Sequence, residues 1–270
     1  MNTVIYSSEF KDTIQLAKIK GLFIGTGNPN AKILILGKEA AIDKEKSVAQ
    51  YEQEYAKNNS DWEINLANNS QFYNIDNWFI KDKLPLFNTL YPYKGQKNKV
   101  ERHNKFGKII SGEGGTSKTW YNYQKITDSI YFNEIPSQLI NFYEYVFCSE
   151  LNQETGNYSR DISKSKRAES IQLRKELFDT IFFKDFQITI VAVGHYVRDF
   201  NLDLQDIFNM KYNEEISKKL SKGLNKEYIN IHYDDLEKPT KILIHTNQLS
   251  MVSNELVNRL GKICNDFLRK

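Results

Sequence analysis

Four short apolar segments, each rich in β-branched residues and followed by polar ones, stand out along the chain. They are Ile33 to Leu36, Val146 to Cys148, Ile188 to Val193 and Ile242 to Ile244. Continuous apolar runs of this length are typical of strands that are buried on both faces of a parallel sheet. The pattern therefore predicts a central sheet of four parallel strands.

Two other stretches have the periodicity of amphipathic helices. Apolar residues recur at helical spacing among Lys, Arg and Glu from Ser165 to Phe183, between the second and third strands. The same spacing returns from Val252 to Phe267, after the fourth strand. Strands that alternate with helices predict an α/β fold, here a three-layer α/β/α sandwich.

The interval from Ala40 to about Tyr145 is long for one crossover and has no clear strand pattern. We expect helices there and a long insertion at about residues 80–118, within a single domain that covers residues 1–270. The insertion is rich in basic residues, among them Lys97 and Arg102. Two interpretations stay open for it: a solvated surface loop, or a loop that contacts DNA phosphates.

The composition excludes several classes of protein but does not identify a binding partner. The chain has 37 Lys and Arg against 34 Asp and Glu, a net charge of +3, which is too small to indicate nucleic acid by itself. Two cysteines, Cys148 and Cys264, exclude a disulfide framework or a four-cysteine metal site supplied by this chain. No stretch approaches about 20 apolar residues. We therefore expect a cytoplasmic protein that is neither secreted nor inserted in a membrane.

Polar residues follow all four predicted strands, where ligands of open parallel sheets bind. The four ends carry Gly37-Lys38-Glu39, Ser149 to Asn152, Gly194-His195-Tyr196 and His245 to Ser250. A carboxylate, an amide and two histidines at one sheet edge suit a catalytic cleft, although each alone is also compatible with a loop or a helix cap.

The order and spacing of these segments resemble the uracil-DNA glycosylase superfamily. Gly37-Lys38-Glu39-Ala40-Ala41 looks like the first motif of the family, a Gly-rich turn that carries a carboxylate or Asn. His245-Thr246-Asn247-Gln248-Leu249-Ser250 looks like the second motif, commonly His-Pro-Ser-Pro-Leu-Ser. The resemblance spans about Lys32 to Phe267 and implies the fold of that family.

The resemblance implies catalytic roles for Glu39 and His245. Cleavage of an N-glycosidic bond builds positive charge on the sugar and negative charge on the departing base, so a carboxylate and a donor are required. Both residues also have structural interpretations. Glu39 could lie near a helix N-terminus, and His245 could be a hydrogen-bonded residue at a strand end.

Base binding is expected from Gly37 together with Glu150 or Asn152, between which the sequence does not choose. Asn offers a donor and an acceptor to uracil, whereas an ionised Glu only accepts and makes uracil doubtful. An aromatic surface for a flipped base is expected from Trp120 or Tyr121, although core packing is the commoner use of Trp.

DNA contacts are expected from the second motif. Leu249 lies where the family inserts an apolar wedge into the duplex, although it could equally be a core residue, and Asn247 and Ser250 flank it. A cluster of basic residues is either a solvated helix face or a phosphate-contacting one: Arg160, Lys164, Lys166, Arg167, Arg174 and Lys175.

These observations predict a monomeric, monofunctional DNA N-glycosylase that acts on uracil or a related base in single- or double-stranded DNA. We expect no cofactor and no metal. Ala40, Ala41, Thr246 and Asn247 depart from the family pattern. The alternative is therefore a nucleic-acid-binding module that keeps the fold with weak or no catalysis. An α/β hydrolase that uses Ser149 or Ser250 is a distant third, because the chain has no Gly-x-Ser-x-Gly motif.

Overall fold

The computed structural model describes residues 5–67, 89–92, 100–103, 109–113, 117–215 and 227–270. The α-helices in these ranges are α1 (Ser8–Lys20), α2 (Val48–Tyr51), α3 (Asn58–Ala67), α4 (Lys118–Tyr131), α5 (Lys164–Phe178), α6 (Ile181–Lys184), α7 (Tyr196–Asp199), α8 (Leu204–Phe208) and α9 (Asn254–Leu268). The strands are β1 (Thr26–Gly27), β2 (Ile33–Gly37), β3 (Val100–His103), β4 (Ile109–Glu113), β5 (Val146–Glu150), β6 (Ile188–Val191), β7 (Lys211–Glu215), β8 (Ile229–Tyr233) and β9 (Ile242–Thr246). A π-helical turn spans Glu52–Ala56, and 3-10 turns span Phe142–Glu144 and Ser159–Asp161.

The main sheet has seven strands within the described residues, in the order β1-β5-β2-β6-β9-β8-β7. The four predicted strands are β5, β2, β6 and β9, which lie side by side and run parallel. The prediction of a four-stranded parallel sheet is nevertheless wrong, because β1, β8 and β7 add antiparallel strands at the two sides. β1 has two residues and β8 alternates apolar and polar positions, so neither forms an apolar run.

Helices cover both faces of this sheet. Phe147 of β5 packs against Phe10 of α1 and Phe182 of α6, with ring centroids 6.0 and 5.3 Å away. Its neighbour Cys148 points to the opposite face, since successive strand residues alternate. There it lines a cavity together with Tyr123 of α4. The chain is thus an α/β protein with helices on each side of a mixed sheet.

Serine caps set the starts of four helices. Ser7, Ser117, Ser163 and Ser253 each accept a hydrogen bond from a backbone N–H in the first turn of α1, α4, α5 and α9. The predicted helix from Ser165 to Phe183 is divided into α5 and α6, because Thr180 is extended between them. The predicted C-terminal helix is α9.

Part of the predicted insertion forms structure of its own. β3 and β4 pair as a separate antiparallel hairpin, with Val100 opposite Glu113. Sequence analysis identified no strand in this interval. In the part of the chain that the structure describes, no helix is long and apolar enough to cross a membrane.

Candidate active site

The carboxyl ends of the parallel strands are joined by backbone hydrogen bonds beyond the sheet. The N–H of Asn152 donates to the carbonyl of Lys38 over 2.8 Å, which ties the loop after β5 to the loop after β2. The N–H of Gly194 donates to the carbonyl of Thr246 over 3.0 Å, which ties the loop after β6 to the end of β9. The polar segments that follow the four strands therefore lie at one edge.

Glu39 lies at the centre of this edge, in the loop after β2. Its Oε2 accepts a hydrogen bond from the Tyr196 hydroxyl over 2.6 Å and a longer one from Asn152 Nδ2 over 3.4 Å. Its Oε1 accepts from the Ser159 hydroxyl. The oxygens of a carboxylate only accept hydrogen bonds, so these three donors suit it and hold it in one orientation.

Tyr196 is itself held by two cations. Arg167 Nη1 donates to its hydroxyl over 3.2 Å, and Lys38 Nζ lies 4.7 Å from the centre of its ring. Burial, and secondly the hydrogen bond to Glu39, raise the pKa of Tyr196 to about 12. Tyr196 therefore stays a protonated donor to Glu39 across the physiological range.

Glu150 is the second carboxyl group at this edge, and Gly37 allows its position. The two residues are register partners in β2 and β5, and a methyl group on Gly37 would overlap the Glu150 carboxylate. Burial and the nearby charge of Glu39 raise the pKa of Glu150 to about 8, although Arg174 acts against this. Glu150 is therefore largely protonated at neutral pH, and its Oε2 has no hydrogen-bond partner among the described residues.

Arg174 is fully buried, so it cannot run along DNA phosphates as one sequence interpretation allowed. Its guanidinium donates to the Glu150 carbonyl over 2.6 Å, to the Ser149 hydroxyl over 2.8 Å and to the Phe23 carbonyl. Burial lowers the pKa of Arg174 to about 10. The side chain is a structural support for the end of β5.

An aromatic cavity of about 60 Å³ lies against Glu150. Trp120 and Tyr123, one helical turn apart on α4, line it together with Tyr143 and Tyr55. Tyr121 is not among the lining residues and instead packs under Lys125. Of the two predicted aromatic residues, only Trp120 reaches the cavity, because Tyr121 is on another face of α4.

Asn152 is fully buried but does not line this cavity. Its Nδ2 contacts Glu39 and its Oδ1 accepts from the Glu154 N–H over 3.0 Å. Of the two residues that the sequence left open for base binding, Glu150 lines the cavity, whereas Asn152 contacts Glu39.

His245 is buried at the end of β9, and its ring is engaged within the protein. Nε2 lies 3.0 Å from both the Gly194 carbonyl and the Tyr228 hydroxyl. Burial lowers the pKa of His245 to about 4, so the ring is neutral at physiological pH. Among the described residues, no hydrogen bond joins His245 to Glu39, although both follow strands that end at the same edge of the sheet.

Leu249 is fully buried, which agrees with the core interpretation that the sequence left open and not with an exposed wedge. Asn122 Nδ2 donates to its carbonyl over 2.8 Å, which fixes the loop against α4. Asn247 and Ser250 are half-buried, and Asn247 Oδ1 accepts from the Tyr228 N–H over 3.0 Å. Met251 is the exposed apolar side chain in this segment, at 83%.

Two predicted DNA contacts cannot be placed. Lys97 lies outside the described residues. Arg102 has a described backbone in β3, but its side chain lies outside the described part.

Sequence analysis missed the residues that hold Glu39. Tyr196 is the third residue of the polar segment Gly194-His195-Tyr196, which was predicted to lie at the sheet edge, but no role was predicted for it. Arg167 was predicted only as a member of the basic cluster, and Ser159 had no pattern of its own, because their links to Glu39 exist only between distant parts of the chain. Tyr123 could have been found from its i+3 spacing to Trp120.

The chain was compared with models of known protein families and with curated proteins. Neither comparison found a match.

Proposed function

We propose that this protein is a monofunctional DNA N-glycosylase that hydrolyses the bond between a flipped base and its deoxyribose. One observation carries the proposal: two carboxyl groups in opposite environments lie at the carboxyl edge of the parallel strands. Glu39 is held by three donors, and Glu150 is protonated beside an aromatic cavity. Neighbouring carboxyl groups, one of which has a pKa raised by burial, are typical of acid–base sites. The resemblance of the two loop motifs supplies the reaction class.

Glu39 would stabilise the sugar cation and orient water. The C1′–N bond breaks and leaves its electron pair on the base nitrogen. The water oxygen then bonds to C1′, and the proton that water loses ends on the departing base. The donors around Glu39 keep its carboxylate in place before the reaction, so that its charge acts on the cation without reorganisation.

Glu150 would recognise the base. In its protonated form it offers one donor and an acceptor, unlike the ionised Glu that made uracil doubtful from sequence. The Tyr55 hydroxyl, also without a partner among the described residues, lines the same cavity. Trp120 and Tyr123 would stack on the base.

The cavity must widen to admit a base, since about 60 Å³ is below the roughly 150 Å³ of a cavity that holds benzene. Trp120 is a partly exposed part of its wall, as are Ala40 and Glu54. Displacement of the large Trp120 side chain would widen the cavity.

A second candidate is a nucleic-acid-binding module that keeps the fold without cleavage. The engagement of His245 Nε2 with Gly194 and Tyr228 favours it, because this nitrogen is then not directed at a departing base. In the glycosylase, His245 would instead position the loop after β6.

Base release from oligonucleotides carrying uracil, hypoxanthine, xanthine or mismatched thymine tests the proposal. We expect release by the wild type and loss of at least about 100-fold in Glu39→Gln, on the order of removing one preorganised electrostatic group. Glu237→Gln is the matched control, since Glu237 is exposed in the β8–β9 turn at the opposite edge. Release undiminished in Glu39→Gln would contradict the mechanism. No release, with salt-dependent DNA binding, would favour the second candidate.

A further inference from the structure

A cavity of about 510 Å³ lies beside β8 and β9 under the segment that contains α7 and α8. It is distinct from the Glu150 cavity. His245, which lines it, is in register with Val191 and through it with Leu36, whereas Glu150 is in register with the next residue, Gly37. Since side chains alternate along strands, the two cavities lie on opposite faces of the sheet. Its volume is within the range of small-molecule sites.

The inner wall of this cavity carries polar atoms with no partner. Asn230 Oδ1 and His232 Nδ1 are buried and make no hydrogen bond within the described ranges. His232 is only 7% exposed. An unsatisfied buried polar atom costs about 1–3 kcal/mol, so a molecule that hydrogen-bonds to these atoms would recover that free energy.

The cavity also has an aromatic wall. Its charged lining residues are engaged within the protein, since Arg198 pairs with Asp199 and Asp203 accepts from backbone N–H groups of α8. Tyr212 packs edge-on against His232 with ring centroids 5.3 Å apart, and Tyr228 against His245 at 5.1 Å. Burial lowers the pKa values of both histidines, so both rings are neutral at pH 7. The chemistry therefore suits a flat, uncharged molecule that both donates and accepts hydrogen bonds.

We propose that this cavity binds a neutral nucleobase. Asn230 and His232, two residues apart on the same face of β8, offer an amide and an imidazole for hydrogen bonds to a base, and the aromatic rings of the same wall offer a surface for stacking. The base could belong to a free nucleoside or to a nucleic-acid strand. The inference does not require cleavage at Glu39.

Calorimetric titration of the full chain tests the inference, with adenosine, guanosine, cytidine, thymidine and a mixed DNA hexanucleotide as probes. We expect at least one probe to bind, and affinity to fall about tenfold or more in Asn230→Ala and His232→Phe, as for the loss of one hydrogen bond in a buried site. Binding of nucleosides alone indicates a free ligand, and binding of the hexanucleotide only indicates a strand.

Glu39→Gln separates this inference from the proposed function, because it should abolish base release and leave nucleobase binding unchanged. Leu202→Phe, which fills the cavity from the opposite wall, replaces His232→Phe if that variant does not fold. No binding of any probe at millimolar concentration would overturn the inference. So would equal binding by the wild type and the folded cavity variants.

Discussion

The hydroxyl of Tyr196 donates a 2.6 Å hydrogen bond to the carboxylate of Glu39. The bond joins the segment after β6 to the loop after β2, although the residues are 157 positions apart in the chain. Arg167 continues the link to α5, since its guanidinium donates to the same hydroxyl. The orientation of Glu39 is therefore decided by side chains outside its own loop: Tyr196 directly, and Arg167 of α5 through Tyr196.

Tyr196→Phe should slow base release about 10- to 100-fold, because a hydrogen bond to a charged group contributes about 1.5–3 kcal/mol. The ring and its contact with Lys38 remain, so the fold should persist. Tyr158→Phe is the matched control, since Tyr158 is 62% exposed. Single-turnover rates and circular dichroism of both variants provide the comparison. Equal rates for Tyr196→Phe and Tyr158→Phe would show that Tyr196 has no role in base release.

Gly37→Ala should destabilise the protein by about 1–3 kcal/mol, because the added methyl overlaps the buried Glu150 carboxylate. The cost should shrink in a Glu150→Ala background, where the overlapping atoms are gone. Urea denaturation of the four proteins in this double-mutant cycle measures the coupling. Additive effects would show that the two residues do not meet.

Glu150→Gln should change how stability depends on pH. The pKa of Glu150 in the folded protein, about 8, lies above its usual value of 4.5. The contribution of this group to stability is therefore fully present below pH 4.5 and is lost as pH rises to about 8. The slope from this one group is at most about 1.4 kcal/mol per pH unit. The free energy of unfolding of the wild type, measured relative to Glu150→Gln, should fall across this window. A constant difference would contradict the raised pKa.

His245 should produce the opposite dependence. The pKa of His245 in the folded protein, about 4, lies below its usual value of 6.5. The contribution of the neutral ring to stability is therefore fully present above pH 6.5 and is lost as pH falls toward 4. His245→Asn should remove this part of the acid sensitivity, while His195→Asn, at an exposed histidine, serves as control. Thermal unfolding between pH 4 and 7 reports the difference. Identical profiles for the wild type and both variants would rule out the buried neutral ring.

Met251→Ala should weaken activity on duplex DNA about tenfold and leave single-stranded activity nearly unchanged. Met251 is exposed beside the buried Leu249, so it is the apolar side chain of this loop that can enter the gap left by a flipped base. Rates on matched single- and double-stranded substrates test this role. Equal losses on both substrates would show that Met251 does not act as a wedge.

The sequence alone determined the four parallel strands, the polar residues at their ends and the C-terminal helix α9. Those features follow from local patterns, because burial on both faces of a strand or on one face of a helix imposes a short period on apolar residues. β1 and β8 escaped prediction, since a two-residue strand and an alternating one leave no apolar run.

Only the tertiary structure decided which polar side chains meet. Glu39 was identified from its place after β2, but its partners Tyr196 and Ser159 come from distant loops. The burial of Leu249 and Arg174 is equally unpredictable from the sequence. Whether a Leu in a loop or an Arg on a helix is buried depends on what packs against it. Local periodicity can be recognised in consecutive residues, whereas contacts between loops depend on how the strands are ordered in the sheet.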